Sequence, residues 1–116
     1  MDTICIEELE VRFHVGVPDE ERARPQRLLL SVRMALDMSA AAATDDLSAT
    51  INYFDVCQRL QRMGEGRSWK LIETLAVEIA ELVRREFEPE EVWVEVKKFI
   101  IPEARHIAVQ VTRLRE

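Results

Sequence analysis

The sequence predicts an α+β domain in the order ββααββ, a four-stranded antiparallel sheet with two helices on one face. Three features carry this. Apolar and polar residues alternate with period two near the start, apolar residues recur at three-and-four spacing in the middle, and the alternation returns near the end. With 116 residues there is room for one domain, 1–116, burying roughly 65% of the surface its unfolded chain exposes.

The first strand is Leu9, Val11, Phe13 and Val15 facing one way and Glu8, Glu10, Arg12 and His14 the other. Ile4 and Ile6 have the opposite parity, so a bulge near Glu7 and Glu8 is expected, or cover on both faces. A charged loop from Val17 to Pro25 leads to the second strand, where Leu28, Leu30, Val32, Met34 and Leu36 alternate. The alanine-rich stretch Ser39 to Thr44 reads as a turn or short helix, and Asn52 as the cap of the next helix. That helix runs to about Met63 on Val56, Cys57, Leu60 and Met63, and Gly64 and Gly66 end it. The second helix is expected from about Ser68 to Phe87. Its stripe is Ile72, Leu75, Ala76, Ile79, Val83 and Phe87, its wet side includes Lys70, and Pro89 closes it. Val92, Val94 and Val96, then Ile107, Val109 and Val111, mark the last two strands. Four strands covered on one face leave two open edges, which a larger sheet or a closed barrel built from several copies would protect.

Composition removes several classes of function. Sixteen Lys and Arg against 22 Asp and Glu make the net charge -6, so neither nucleic acid nor an anionic membrane is expected as the main partner. No apolar run approaches a membrane span, and Met1-Asp2-Thr3 does not open a signal peptide, so the cytoplasm is the expected compartment. Cys5 and Cys57 are expected to be buried thiols. His14 and His106 are the only histidines, so no metal site and no cofactor are expected.

Five positions admit a plain reading, a chemical one or both. Lys98 has the parity of Val92, Val94 and Val96. Its amine lies in a partly desolvated place suited to proton transfer, or the strand ends there and lets it reach water, and parity alone favours the second. Glu73, near the start of the second helix, is a dipole-stabilised surface acid by default and a ligand anchor otherwise. Glu20 and Glu21 read as solvated loop residues. Tyr53, the only tyrosine, is a core plug with a wet hydroxyl or a functional phenol.

Taken in order, Gly16-Val17 with Glu21 and Gln26, Thr44-Asp45-Asp46-Leu47, Asn52-Tyr53, Leu71-Ile72-Glu73 and Val96-Lys97-Lys98 resemble the dihydroneopterin aldolase family over essentially the whole chain. The resemblance implies the tunnelling fold, in which four subunits complete one antiparallel barrel and two rings stack into an octamer. It implies a pterin pocket between adjacent subunits, with Glu21, Ile72, Glu73 and Lys98 facing Tyr53 and its neighbours Thr50 to Asn52 of the next chain.

By the same resemblance the reaction is a retro-aldol cleavage giving hydroxymethyl-dihydropterin and glycolaldehyde. The ring C=N bond of the dihydropterin takes the electrons, so neither metal nor cofactor is implied. Lys98, beside Tyr53, would move the proton, and Glu21 would orient the hydroxyls or the lysine. Glu73 would accept two hydrogen bonds from the flat ring, the Ile72 amide would donate one, and Gln26 would support Lys98 or the ring. The segment Phe99 to His106 departs from the common pattern, which keeps open a second reading, a dihydroneopterin triphosphate epimerase sharing the same intermediate. A third is a pterin-binding protein of this fold without turnover.

Overall fold

The structure, a computed structural model describing residues 1–116, is built on a long antiparallel hairpin of β1 (Asp2–Val15) and β2 (Gln26–Leu36). The pairing slips between Ile6 and Leu9, where Glu8 takes a left-handed conformation, φ 57°. Of the two alternatives the sequence left open, this is the bulge. It returns Ile4 and Ile6 to the side of Leu9, Val11 and Phe13, so all of them pack on one core. The Glu8 amide, freed from the ladder, donates to Ser31 Oγ at 3.0 Å, and Ser31 is itself buried.

β4 (Glu91–Lys98) pairs with β2, and β5 (Ile107–Leu114) pairs with β4, both antiparallel. α3 (Tyr53–Arg62) and α4 (Ile72–Phe87) supply the helical cover. Their buried residues, among them Val56, Leu60, Leu75 and Ile79, meet Leu28, Leu30, Val94 and Val96 in one apolar core. Each fully buried Leu or Ile there contributes about 1.5–3 kcal/mol of transfer free energy, which is why the alternation in these strands was legible. Asn52 caps α3, its side-chain oxygen accepting from the Phe54 amide at 3.0 Å. After Phe87 the chain turns through left-handed Glu88, φ 54°, ahead of Pro89.

Several expectations need correction. The sheet has five strands, in the order β3-β1-β2-β4-β5. The extra one, β3 (Ser68–Trp69), lies where the second helix was expected to begin and runs parallel to His14 and Val15. Burial of the Trp69 ring beside Phe13, with centroids 5.5 Å apart, and the bond from the Gly16 amide to the Trp69 carbonyl at 3.0 Å outweigh helix continuation. The helix therefore starts at Ile72, and Lys70 precedes it. The order ββααββ also gains short pieces: α1 (Asp19–Arg22) inside the charged loop, α2 (Ser39–Thr44) and a 3-10 turn at Leu47–Ala49. Neither cysteine is fully buried, since Cys5 lies exposed and Cys57 half-buried. Tyr53 is no core plug; it is 62% exposed, and Ile51 takes the buried place nearby.

β5 has no strand on its outer side, and β1 has none there except at His14 and Val15. No helix is long and apolar enough to cross a membrane.

Candidate active site

At one end of the sheet the close of β1, the start of β2 and the last residue of β4 lie side by side, with Phe13 opposite Gln26 and Leu28 opposite Lys98. Lys98 continues the inward parity of Val92, Val94 and Val96. It does not escape to water: its side chain is 13% exposed, and its Nζ lies 2.7 Å from Glu21 Oε2. Glu21 is therefore not the solvated loop residue expected, with a side chain only 19% exposed. Glu20, by contrast, is exposed as expected.

Gln26 completes the cluster. Its Nε2 donates to Glu21 Oε2 at 2.9 Å and to the Val15 carbonyl at 3.1 Å. Both partners are acceptors, so the amide must present its NH2 to them. Burial pushes the Glu21 carboxyl up, but the hydrogen bonds from Lys98 and Gln26 and the charge of Lys98 together hold it below the usual carboxylate range. In the free protein the carboxylate is thus ionised and faces the amine.

Gly16 makes room for that carboxylate. A Cβ at this position would lie 2.4 Å from Glu21 Cδ and 2.6 Å from Oε1, and its φ of 137° is one that side chains rarely adopt. The Gly16 amide donates to the Trp69 carbonyl, so the loop bearing Glu21 is tied to the stretch that opens α4. There Ile72 is buried and Glu73 exposed in the first helical turn. Leu71, the N-cap residue, provides no side-chain cap, which leaves amides of the first turn free to donate outward. Val17 and Leu71 add exposed apolar surface on this tied loop and helix start, 61% and 46% exposed.

Of the expected site residues, Glu21, Gln26 and Lys98 form one cluster, and Ile72 and Glu73 are linked to it through Gly16 and Trp69. Asn52 and Tyr53 start α3, where Asn52 is engaged in capping. No hydrogen bond or ion pair within the chain joins either residue to the cluster. The largest surface hollow, about 740 Å³, is lined by residues such as Arg12, His14, Arg22 and Arg67 and by neither Lys98 nor Glu73. Two neighbours of the cluster escaped sequence reasoning in their roles: Gly16 as the cradle of a carboxylate, and Arg22, whose only sequence signal was its place beside Glu21.

A sequence model of the family described as dihydroneopterin aldolase (FolB) matches residues 4–112. The chain is 33% identical over 114 residues to the dihydroneopterin aldolase of Haemophilus influenzae, covering 97% of each. It is 37% identical over 117 residues to that of Bacillus subtilis, covering 97% of this chain and 98% of the relative. Among solved structures it is similar to E. coli dihydroneopterin aldolase in complex with neopterin, with a TM-score of 0.92, 31% identity, and coverage of 97% of this chain and 99% of that one.

Proposed function

The chain belongs to the dihydroneopterin aldolase family, and on that premise we propose how its own residues carry the family's reaction. The reaction is the retro-aldol cleavage of dihydroneopterin to hydroxymethyl-dihydropterin and glycolaldehyde. The chain is an aldehyde-lyase that binds a pterin and serves folate biosynthesis.

What carries the assignment of roles is the contact between Lys98 and Glu21, two side chains shielded from water and 2.7 Å apart. Lys98 first gives up its own proton to solvent. As the carbon–carbon bond breaks, its electrons pass into the ring C=N bond, and the neutral amine, through a water and beside a tyrosine hydroxyl, takes the proton of the side-chain hydroxyl. It later returns a proton to carbon. Glu21 holds the amine in place and orients the hydroxyls, and Gln26 steadies Glu21. Glu73, which has no ion-pair partner within the chain, accepts from the amino group and ring N–H of the pterin, while the Ile72 amide donates to the ring.

Tyr53 is exposed and unattached to the cluster, and the sheet has two open edges. Both features support a ring of four subunits closing one barrel, with two rings stacked as an octamer and each pocket completed by Asn52 and Tyr53 of the neighbouring copy. The proposed location is the cytoplasm, in keeping with the sequence expectation.

The experiment is direct: incubate the protein separately with dihydroneopterin and its triphosphate and measure glycolaldehyde and epimer formation. Glycolaldehyde from dihydroneopterin is the expected result. Epimer alone, or neither product, overturns the reading.

A further inference from the structure

Glu21 reaches Lys98 only because the loop that bears it is folded back on itself. α1 is a single turn of four residues with no buried side chain, too short to hold its shape by its own hydrogen bonds. Something outside the turn must set its position.

The ties converge on the next residue. The Arg22 guanidinium donates through Nη1 to the carbonyls of Gly16 at 2.8 Å and Val17 at 3.0 Å, and through Nη2 to Asp19 Oδ1 at 2.6 Å. The Arg22 carbonyl accepts from His14 Nδ1 at 2.9 Å, a contact that requires the proton on that nitrogen. The side chain is 19% exposed, whereas its Asp19 partner is 92% exposed. The ion pair with Asp19 is therefore weakened by solvent, and the two backbone carbonyls are the significant partners. They belong to the residues that begin the loop, one of them the glycine whose bare Cα accommodates the Glu21 carboxylate.

We propose that Arg22 is a positioning residue of the catalytic pair: its guanidinium closes the loop from Gly16 to Arg22, so that Glu21 stands against Lys98 before substrate arrives. The proposal rests on the reading of Glu21 and Lys98 as the proton-handling pair. The hydrogen bonds of Arg22 all run within the loop or to His14, so its removal loosens the placement of Glu21 without breaking a ladder bond of the sheet. Lysine cannot replace it fully, since one ammonium lacks the planar fork that serves two carbonyls and a carboxylate together.

The test compares Arg22→Ala and Arg22→Lys with the parent enzyme, alone and in a Glu21→Ala background. The readouts are kcat and KM on dihydroneopterin, with NMR titration of the Glu21 carboxyl carbon in the intact protein. For Arg22→Ala the expected result is a loss of about ten- to a hundredfold in kcat, with KM changing less. The Glu21 titration should move upward as its bonds to Lys98 and Gln26 loosen, and Arg22→Lys should recover part of the loss. In the Glu21→Ala background, removing Arg22 should cost little more. If Arg22→Ala proves too unstable to assay, Arg22→Gln carries the same expectation. Parent-level kcat and an unmoved titration, or an equal fold-loss with and without Glu21, would overturn the role of Arg22 alone. Full activity in Lys98→Ala would instead overturn the underlying pair and this proposal with it.

Discussion

Lys98 Nζ and Gln26 Nε2 meet on a single oxygen, Oε2 of Glu21, at 2.7 and 2.9 Å. The three side chains come from the end of β4, the start of β2 and the loop between the first two strands. One carboxylate oxygen thus joins the amine at the end of β4 to the amide at the start of β2. Three consequences for the proposed pocket follow from this contact and its surroundings, and a fourth concerns folding stability.

Replacing Lys98 by Ala should remove the proton-transferring group and lower kcat by about a hundred- to ten-thousandfold. Pterin binding should change far less, because in the proposed pocket the ring is held at the α4 end. Steady-state kinetics with equilibrium binding of neopterin checks this, and a Kd that rises as steeply as kcat falls would show that the lysine grips the ligand.

Glu73→Gln should do the reverse. The exposed carboxylate at the start of α4 has no ion-pair partner in the chain, so its capacity to accept is free for a ligand. An amide offers one acceptor where two are needed, and a charge-assisted bond is worth about 1.5–3 kcal/mol, so Kd for neopterin should rise about tenfold or more. Isothermal titration of both proteins measures it, and unchanged affinity would place the anchor elsewhere.

Stability should fall at acid pH through Glu21. Its carboxyl titrates below its ordinary value of 4.5 in the folded protein, so between the two values the unfolded chain binds more protons than the folded one. The contribution is fully present above the unfolded value and is lost as pH falls through the folded value. Thermal unfolding followed from pH 6 downward, with the approximate window taken from reference carboxyl values, should show a decline in Tm that Glu21→Gln makes shallower. Identical slopes in the two proteins would dissociate the effect from this residue.

Mixing two inactive variants tests whether the pocket is shared. Tyr53→Ala and Lys98→Ala each lack one component, but rings assembled from both would contain some pockets with the intact tyrosine on one side and the intact lysine on the other. Unfolding and refolding the mixture should restore activity in about a quarter of the sites if subunits combine at random. No recovery in mixed rings verified by mass spectrometry would place both residues in the same subunit's pocket.

Local patterns carried much of the fold. The bulge near Glu8, the parity of β2 and β4, the Asn52 cap, the α4 stripe and the stop before Pro89 all follow from neighbouring residues, because pleat, helical pitch and capping act over a few positions. The family and its reaction were legible too, through ordered motifs.

What the sequence alone determined was therefore the identity of the strands and helices, the faces they bury and the family to which they belong. Only the tertiary structure decided that Ser68 and Trp69 join the sheet, that Lys98 is held by Glu21 and kept from water, that Tyr53 stands exposed, and that Arg22 ties the loop. Each of these depends on contacts between segments far apart in the chain, where the burial of an indole or an ion pair overrides local preference. Spacing along the chain does not report the distance across it.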